Sequence, residues 1–187
     1  MKKTTTALLM SAVLSTFVAS TAWAAPVTVT VGGQSMLPAR DIIDNAVNSA
    51  DHTTLVAAVK AAGLVDTLKG KGPFTVFAPT NAAFAALPPG TVDGLLKPEA
   101  KASLTKVLTY HVVPGTYDFG ALQSAIKKGG GTAELPTASG GKLWFMQNGA
   151  HNIQLKDESG RTANISTYDV YQSNGVINVI DTVLLPK

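Results

Sequence analysis

The sequence predicts an α+β fold, and three observations predict it. Apolar residues recur at helical spacing through residues 40–109, the glycine run Gly129-Gly130-Gly131 interrupts the chain, and five runs of strand character follow. Helices come first and strands last, the segregated order of an α+β domain rather than the alternation of an α/β one.

Val27 to Val31 alternates valine and threonine and reads as a short strand or an extended lead-in. Gly32-Gly33-Gln34-Ser35 reads as flexible, so residues 25–35 form a lead-in and the domain begins near Met36. Arg40 to Ala50 carries Ile42, Ile43, Ala46 and Val47 at helical spacing, and Thr53 to Ala62 carries Leu55, Val56 and Val59 on one face. Gly63 closes that second helix as a C′ glycine. Leu64 to Leu68 is a helical turn, and Lys69-Gly70-Lys71-Gly72-Pro73 is a loop.

Phe74-Thr75-Val76-Phe77-Ala78 is aromatic and β-branched and predicts a buried strand. Pro79 has no N–H and stops the ladder. The Thr80 hydroxyl caps a helix through Asn81-Ala82-Ala83-Phe84-Ala85-Ala86-Leu87, which points Phe84 and Leu87 the same way. After Pro88-Pro89-Gly90 comes one turn over Thr91–Leu96, then a helix from Pro98 to about Thr109 with Leu104, Val107 and Leu108 as its stripe. Tyr110-His111-Val112-Val113 leaves it as a strand ended by Pro114-Gly115, and Phe119 to Lys128 is another helix. The five strand-like runs are Thr132–Leu135, Leu143–Gln147, Asn152–Lys156, Ala163–Tyr171 and Val176–Leu185. Lys156 to Arg161 and Ser173-Asn174-Gly175 read as hairpin turns, the latter of the primed kind. There is no internal repeat, so residues 36–187 form one domain.

The chain opens with Lys2 and Lys3, an apolar run from Ala7 to Ala19 too short to span a bilayer, and the small-x-small pattern Ala22-Trp23-Ala24. Residues 1–24 read as a secretory signal peptide of bacterial type, and the protein is expected to be exported, to the periplasm or beyond. No cysteine follows the cut and the chain ends Val183-Leu184-Leu185-Pro186-Lys187, so neither a lipid nor a C-terminal membrane anchor is expected. The leader carries two of the 15 Lys+Arg and none of the 12 Asp+Glu, so residues 25–187 hold 13 against 12, a net +1. A near-neutral body gives no electrostatic case for nucleic acid. With no cysteine in a chain bound for an oxidising compartment, stability rests on packing and hydrogen bonds.

Asn174 to Pro186 reads NGVINVIDTVLLP: a turn into a strand whose Val176, Asn178 and Ile180 face one way and Ile177, Val179 and Asp181 the other. Asn178 and Asp181 need hydrogen-bond partners if buried. This segment and FTVFAPTNAAF (Phe74 to Phe84) resemble the two signatures of the fasciclin (FAS1) domain family, and Tyr110-His111 between them is similar to its Tyr-His motif. Phe74, Thr75, Val76, Phe77, Ala78, Pro79, Thr80, Asn81 and Phe84 match the first signature, and Asn174, Gly175 and Asp181 the second. Asn178 stands where the family usually has His, and Ala82 where many members have Asp. The resemblance implies two small sheets packed at a steep angle as a wedge or sandwich, with helices covering one side. It implies an exported, non-enzymatic interaction module that adheres to a cell-surface or matrix protein or a polysaccharide, without a cofactor. In animal members the Tyr-His motif is linked to integrin binding, which makes Tyr110 and His111 the candidate binding residues. Read from the residues alone, Tyr110 packs under the sheet with its hydroxyl bonded and His111 bonds a backbone carbonyl.

Catalytic patterns are scarce. There is no cysteine nucleophile, no Gly-x-Ser-x-Gly elbow and no phosphate loop at Gly129-Gly130-Gly131 or at Gly140-Gly141-Lys142. His52, His111 and His151 lack metal-ligand spacing, so no metal site is expected. Asp157 and Glu158 read as solvated turn residues. A hydrolase would need His111 brought to Asp181 or Asp169. A periplasmic small-ligand or glycan-binding protein is the other alternative. Trp144 and Phe145 lie on one strand, one inward and one outward; in a chain with 6% aromatics a core or half-buried role is the favoured reading, and an outward aromatic near Lys142 and Arg161, able to stack on a sugar or a partner, is the other.

Overall fold

The computed structural model describes residues 28–149 and 151–187; the segment expected as a signal peptide, residues 1–24, lies outside them. Strands β1 (Val29–Val31) and β2 (Gln34–Met36) form an antiparallel hairpin. Within the expected lead-in, residues 29–31 and 34–35 are therefore paired. Val31 and Met36 are buried, so the hairpin is held by its contribution to the core as well as by its ladder.

Helix α1 (Ile42–Ala46) is shorter than the 40–50 pattern suggested and is capped by Asp41, whose carboxylate accepts from Asp44 N at 2.8 Å. A 3₁₀ turn at Ala50–His52 leads into α2 (Thr53–Ala62), which ends at Gly63 with φ 73°. Next come α3 (Val65–Leu68), β3 (Phe74–Pro79) and α4 (Asn81–Ala85). The Thr80 hydroxyl caps α4 by accepting from Ala83 N. Then follow α5 (Thr91–Leu95), α6 (Lys101–Tyr110), β4 (Val112–Pro114) and α7 (Phe119–Lys128). Tyr110 and His111, expected in a strand, instead close α6: Tyr110 is its last residue and His111 its cap.

The remaining strands are β5 (Thr132–Pro136), β6 (Lys142–Gln147), β7 (Ile153–Lys156), β8 (Thr162–Gln172) and β9 (Gly175–Ile180). The last strand stops at Ile180, five residues before the expected Leu185. The β8–β9 turn is not of the primed kind, because neither Asn174 nor Gly175 has positive φ. Gly175 is needed for close approach instead: a Cβ there would stand 2.0 Å from the Phe74 carbonyl oxygen.

Seven strands form one ladder in the order β4-β3-β9-β8-β7-β6-β5, with β3–β9 parallel and the other pairs antiparallel. Strand β8 belongs to both halves, and two register shifts between Ile165 and Val170 bend it. At Asp169, in the shifted stretch, φ is +59°. The bend folds the ladder over. Phe77 on β3 and Phe145 on β6 are four strands apart in pairing order, which in a flat sheet means roughly 19 Å at the usual strand spacing. Their ring centroids are 5.2 Å apart. The far edges also meet, through Ala138 N donating to Val112 O at 2.7 Å. The α+β class stands as expected, and the expected sandwich is a single ladder folded on itself.

Two cores result. One lies between the sheet and helices α1–α6, and includes Val76, Ala78, Ile177 and Val179. The other lies inside the fold of the ladder, under α7, and includes Phe77, Tyr110, Val113, Leu122, Phe145 and Ile180. Alternation along β3 and β9 sends successive residues to opposite cores.

Candidate functional site

The first signature is an internal fastening. Thr75 is fully buried; its hydroxyl donates to Gly115 O at 2.7 Å and accepts from Tyr117 N at 2.8 Å. Asn81 Oδ1 accepts from Thr54 N (3.0 Å) and Thr53 Oγ1 (3.2 Å), while Nδ2 donates to Ala50 O (2.9 Å). It thereby satisfies a free N–H at the start of α2 and ties that helix to α4. Phe74 and Pro79 pair with Gly175 and Ile180 of the second signature, so the two segments lie side by side. Phe84 is buried in the helical core and Ala82 is exposed, so the missing Asp deprives no buried partner.

The second signature works the same way. Asn174 accepts from Ile42 N at 3.1 Å and donates to Leu68 O (2.8 Å) and Gly70 O (3.1 Å), tying β9 to α1 and α3. Asn178 is fully buried; it donates to Tyr117 O and accepts from Asp169 N, both at 3.2 Å. Asp181 is exposed, and its carboxylate accepts from Asn164 N (2.9 Å), Asn164 Nδ2 (3.0 Å) and Thr182 Oγ1 (3.0 Å).

Tyr110 and His111 leave the end of α6 in different directions. Tyr110 enters the inner β core at 0% exposure, and its hydroxyl donates to Lys142 O at 2.6 Å and accepts from Glu158 N at 3.1 Å. Burial pushes its pKa up to about 12. His111 is 3% exposed. Leu184 N donates to its Nε2 at 3.0 Å, which leaves the proton on Nδ1 to donate to Val107 O at 2.8 Å. This is the neutral ring, and burial pushes its pKa down to about 4. With both ring nitrogens engaged by backbone, His111 is brought to neither Asp181 nor Asp169. The Asp169 carboxylate accepts from Phe119 N at 2.7 Å.

Asp157 departs from expectation. It is 1% exposed rather than a solvated turn residue, and its carboxylate accepts from Ser159 Oγ (2.8 Å), Arg161 N (2.8 Å) and Leu185 N (2.9 Å). The first two are the local bonds of an Asp that opens a turn, a signal present in Asp157-Glu158-Ser159-Gly160. The third, to the C-terminal segment, has no local signal. Among the described residues no group of three or more His, Cys, Asp or Glu is arranged to hold a metal ion, and no helix is long and apolar enough to cross a membrane.

A helical layer covers a folded ladder, and the signature polar groups bond within the fold, buried at Thr75 and Asn178 and exposed at Asp181. The chain belongs to the fasciclin family: residues 50–186 match the Fasciclin domain. Among curated relatives, it is 47% identical over 150 residues to Protein sll1483 of Synechocystis, covering 79% of this chain and 74% of that one. It is 40% identical over 123 residues to the cell surface glycolipoprotein MPB83 of Mycobacterium bovis, covering 66% of this chain and 48% of that one. Among solved structures, a FAS1 domain pair from the insect cell adhesion molecule Fasciclin I superposes with a TM-score of 0.70 at 20% identity, covering 78% of this chain and 51% of that one. At that identity the likeness concerns the fold.

Proposed function

We propose that the protein is an exported, non-enzymatic adhesion module whose partner is a cell-surface or matrix protein or a polysaccharide. The observation that carries this reading is that the polar groups of both signatures and of Tyr110-His111 spend their hydrogen bonds within the fold, most of them buried. They hold the scaffold, and contacts fall to the exposed faces. The likeness to a cell surface glycolipoprotein supports the same reading, as does the leader-like segment at residues 1–24. In the test, purified residues 25–187 are applied to cells, matrix proteins and envelope polysaccharides, and a deletion strain is scored for attachment. Binding together with an attachment defect is expected. No binding and normal attachment would remove the proposal.

A second reading, a periplasmic small-ligand-binding protein, is favoured by one feature. An apolar cavity of about 50 Å³ lies between the helices and the sheet, bordered by Val59, Val76 and His52. His52 is 4% exposed, its Nδ1 lies 2.8 Å from Ser49 Oγ, and its Nε2 has no hydrogen-bond partner. A rise in melting temperature with a small amphiphile supports this reading, and a flat screen over a broad panel rejects it.

A further inference from the structure

The outer face of β5–β8 carries a polar surface set around one indole. Strand alternation sends Ala133, Leu143, Phe145, Leu155 and Ala163 into the inner core and the intervening residues to solvent. One cross-strand row on the solvent side reads Glu134, Trp144, Lys156, Thr162, and the next reads Thr132, Met146, Gln154, Asn164. Trp144 is half-buried, and its indole N–H donates to Glu134 Oε2 at 3.2 Å. That bond reaches sideways to the residue directly opposite, so the side chain leans across the strands instead of standing off the sheet. Glu134 is held in turn by Lys142, at 2.6 Å. Beside the ring lies a cleft of about 400 Å³, lined by Thr132, Trp144, Met146, Lys156 and the turn at Glu158-Ser159-Gly160. This volume falls within the roughly 300–1,000 Å³ of small-molecule and cofactor sites.

We infer that this face is a glycan-binding platform, on which Trp144 stacks against a pyranose ring while Lys156, Gln154 and Thr132 bond its hydroxyls. The surface chemistry selects a sugar over other occupants. A sugar ring presents a C–H face to an aromatic and hydroxyls around its rim, and the two rows offer one large ring bordered by donors and acceptors. A second copy of this chain, or another folded protein, would need about 1,000 Å² or more of well-packed contact with an apolar centre. Here the only large apolar side chains in the two rows are Trp144 and Met146, both half-buried. The inference deepens the adhesion reading by naming the partner's chemistry.

The test uses an optical property of the chain. Its tryptophans are Trp23, in the leader-like segment, and Trp144, so residues 25–187 carry a single indole at the proposed site. All the described buried hydrophobic residues fall between Val31 and Leu184, so this stretch retains the core. Alginate, carboxymethylcellulose and dextran are titrated while Trp144 emission is followed, and retention on each immobilised polysaccharide is measured. A saturable emission change with at least one is expected. Trp144→Ala is expected to weaken retention on that polysaccharide about tenfold or more, Trp144→Phe to recover most of it, and both variants to unfold cooperatively in urea with the midpoint lowered only modestly by the lost cross-strand pair. No emission change with any of the three, or retention of Trp144→Ala equal to the parent, overturns the inference. Cell binding is scored in parallel: cells bound equally by parent and Trp144→Ala sink the platform and leave the adhesion reading standing, whereas glycan binding without cell binding does the reverse.

Discussion

The two cores on either side of β3 and β9 are built to different tolerances. Inside the folded ladder, Phe77, Tyr110, Val113, Leu122, Leu143 and Phe145 are all at 0% exposure, and the Phe77 and Phe145 rings touch. On the helical side, Leu55, Val59, Val76 and Val107 lie at 5–8% and border or neighbour a cavity of about 50 Å³. The strands of one continuous ladder, whose two ends meet through Ala138 N and Val112 O, give the inner core rigid walls. Four- and five-residue helices such as α1, α3 and α4 give the outer core walls with few internal bonds. The difference teaches that this scaffold is anchored from its β half, and that its helical half has room to adjust.

The largest expected effect comes from emptying the tight side. Phe145→Ala should lower stability by about 3–5 kcal/mol, and Val59→Ala, beside the existing cavity, by clearly less. Urea unfolding of both variants sharpens the contrast, and equal losses would erase it.

His111 gives the next effect, through pH. Its folded pKa of about 4 lies below its ordinary value of 6.5. The unfolded chain therefore binds more protons between those values, and stability rises with pH there. The contribution is complete above pH 6.5 and is lost as pH falls toward 4, in all about 3 kcal/mol. His52 is shifted in the same direction by burial and adds to the slope. Unfolding free energies measured from pH 7 to 4 should fall in the parent and fall less steeply in His111→Gln. Identical slopes would mean that His111 is not held neutral.

Tyr110→Phe removes a hydroxyl bonded to Lys142 O and Glu158 N and leaves both without that partner. A cost of about 1–3 kcal/mol is expected in urea unfolding. The last pair of variants is the most selective, and its second member has the smallest effect. Val113→Ile adds one methylene to the tight core and should cost about 1–3 kcal/mol. Val76→Ile adds one beside the cavity and should be neutral or stabilising by up to about 0.8 kcal/mol. Reversal of the two signs would break the comparison outright.

Local chemistry made much of this legible in the sequence. Gly63 as a helix stop, Thr80 as a cap and the alternation of β5–β7 all follow from single residues or short periods. So does α7, whose predicted limits of Phe119 and Lys128 are those observed. The errors lie where tertiary contacts override local preference. Tyr110 has strand propensity, yet it ends a helix because its ring fills the inner core and its hydroxyl reaches β6 and the β7–β8 turn. Val183-Leu184-Leu185 has the look of a strand, yet its N–H groups go to His111 and Asp157 in place of a ladder. The fold of the ladder over β8 is a non-local event that no window of residues encodes. The same holds for the candidate site: the sequence shows that one of Trp144 and Phe145 faces outward, but which one, and the rows beside it, depend on register across four strands.

A scaffold with inward signatures and an outward binding face predicts a crossed result in one paired measurement: polysaccharide retention and urea midpoint for Tyr110→Phe and Trp144→Ala, side by side. Tyr110→Phe should lose stability and keep binding, and Trp144→Ala should stay cooperatively folded and lose binding. Loss of binding in a stably folded Tyr110→Phe, with Trp144→Ala unaffected, would contradict it and place the site at the Tyr110-His111 motif.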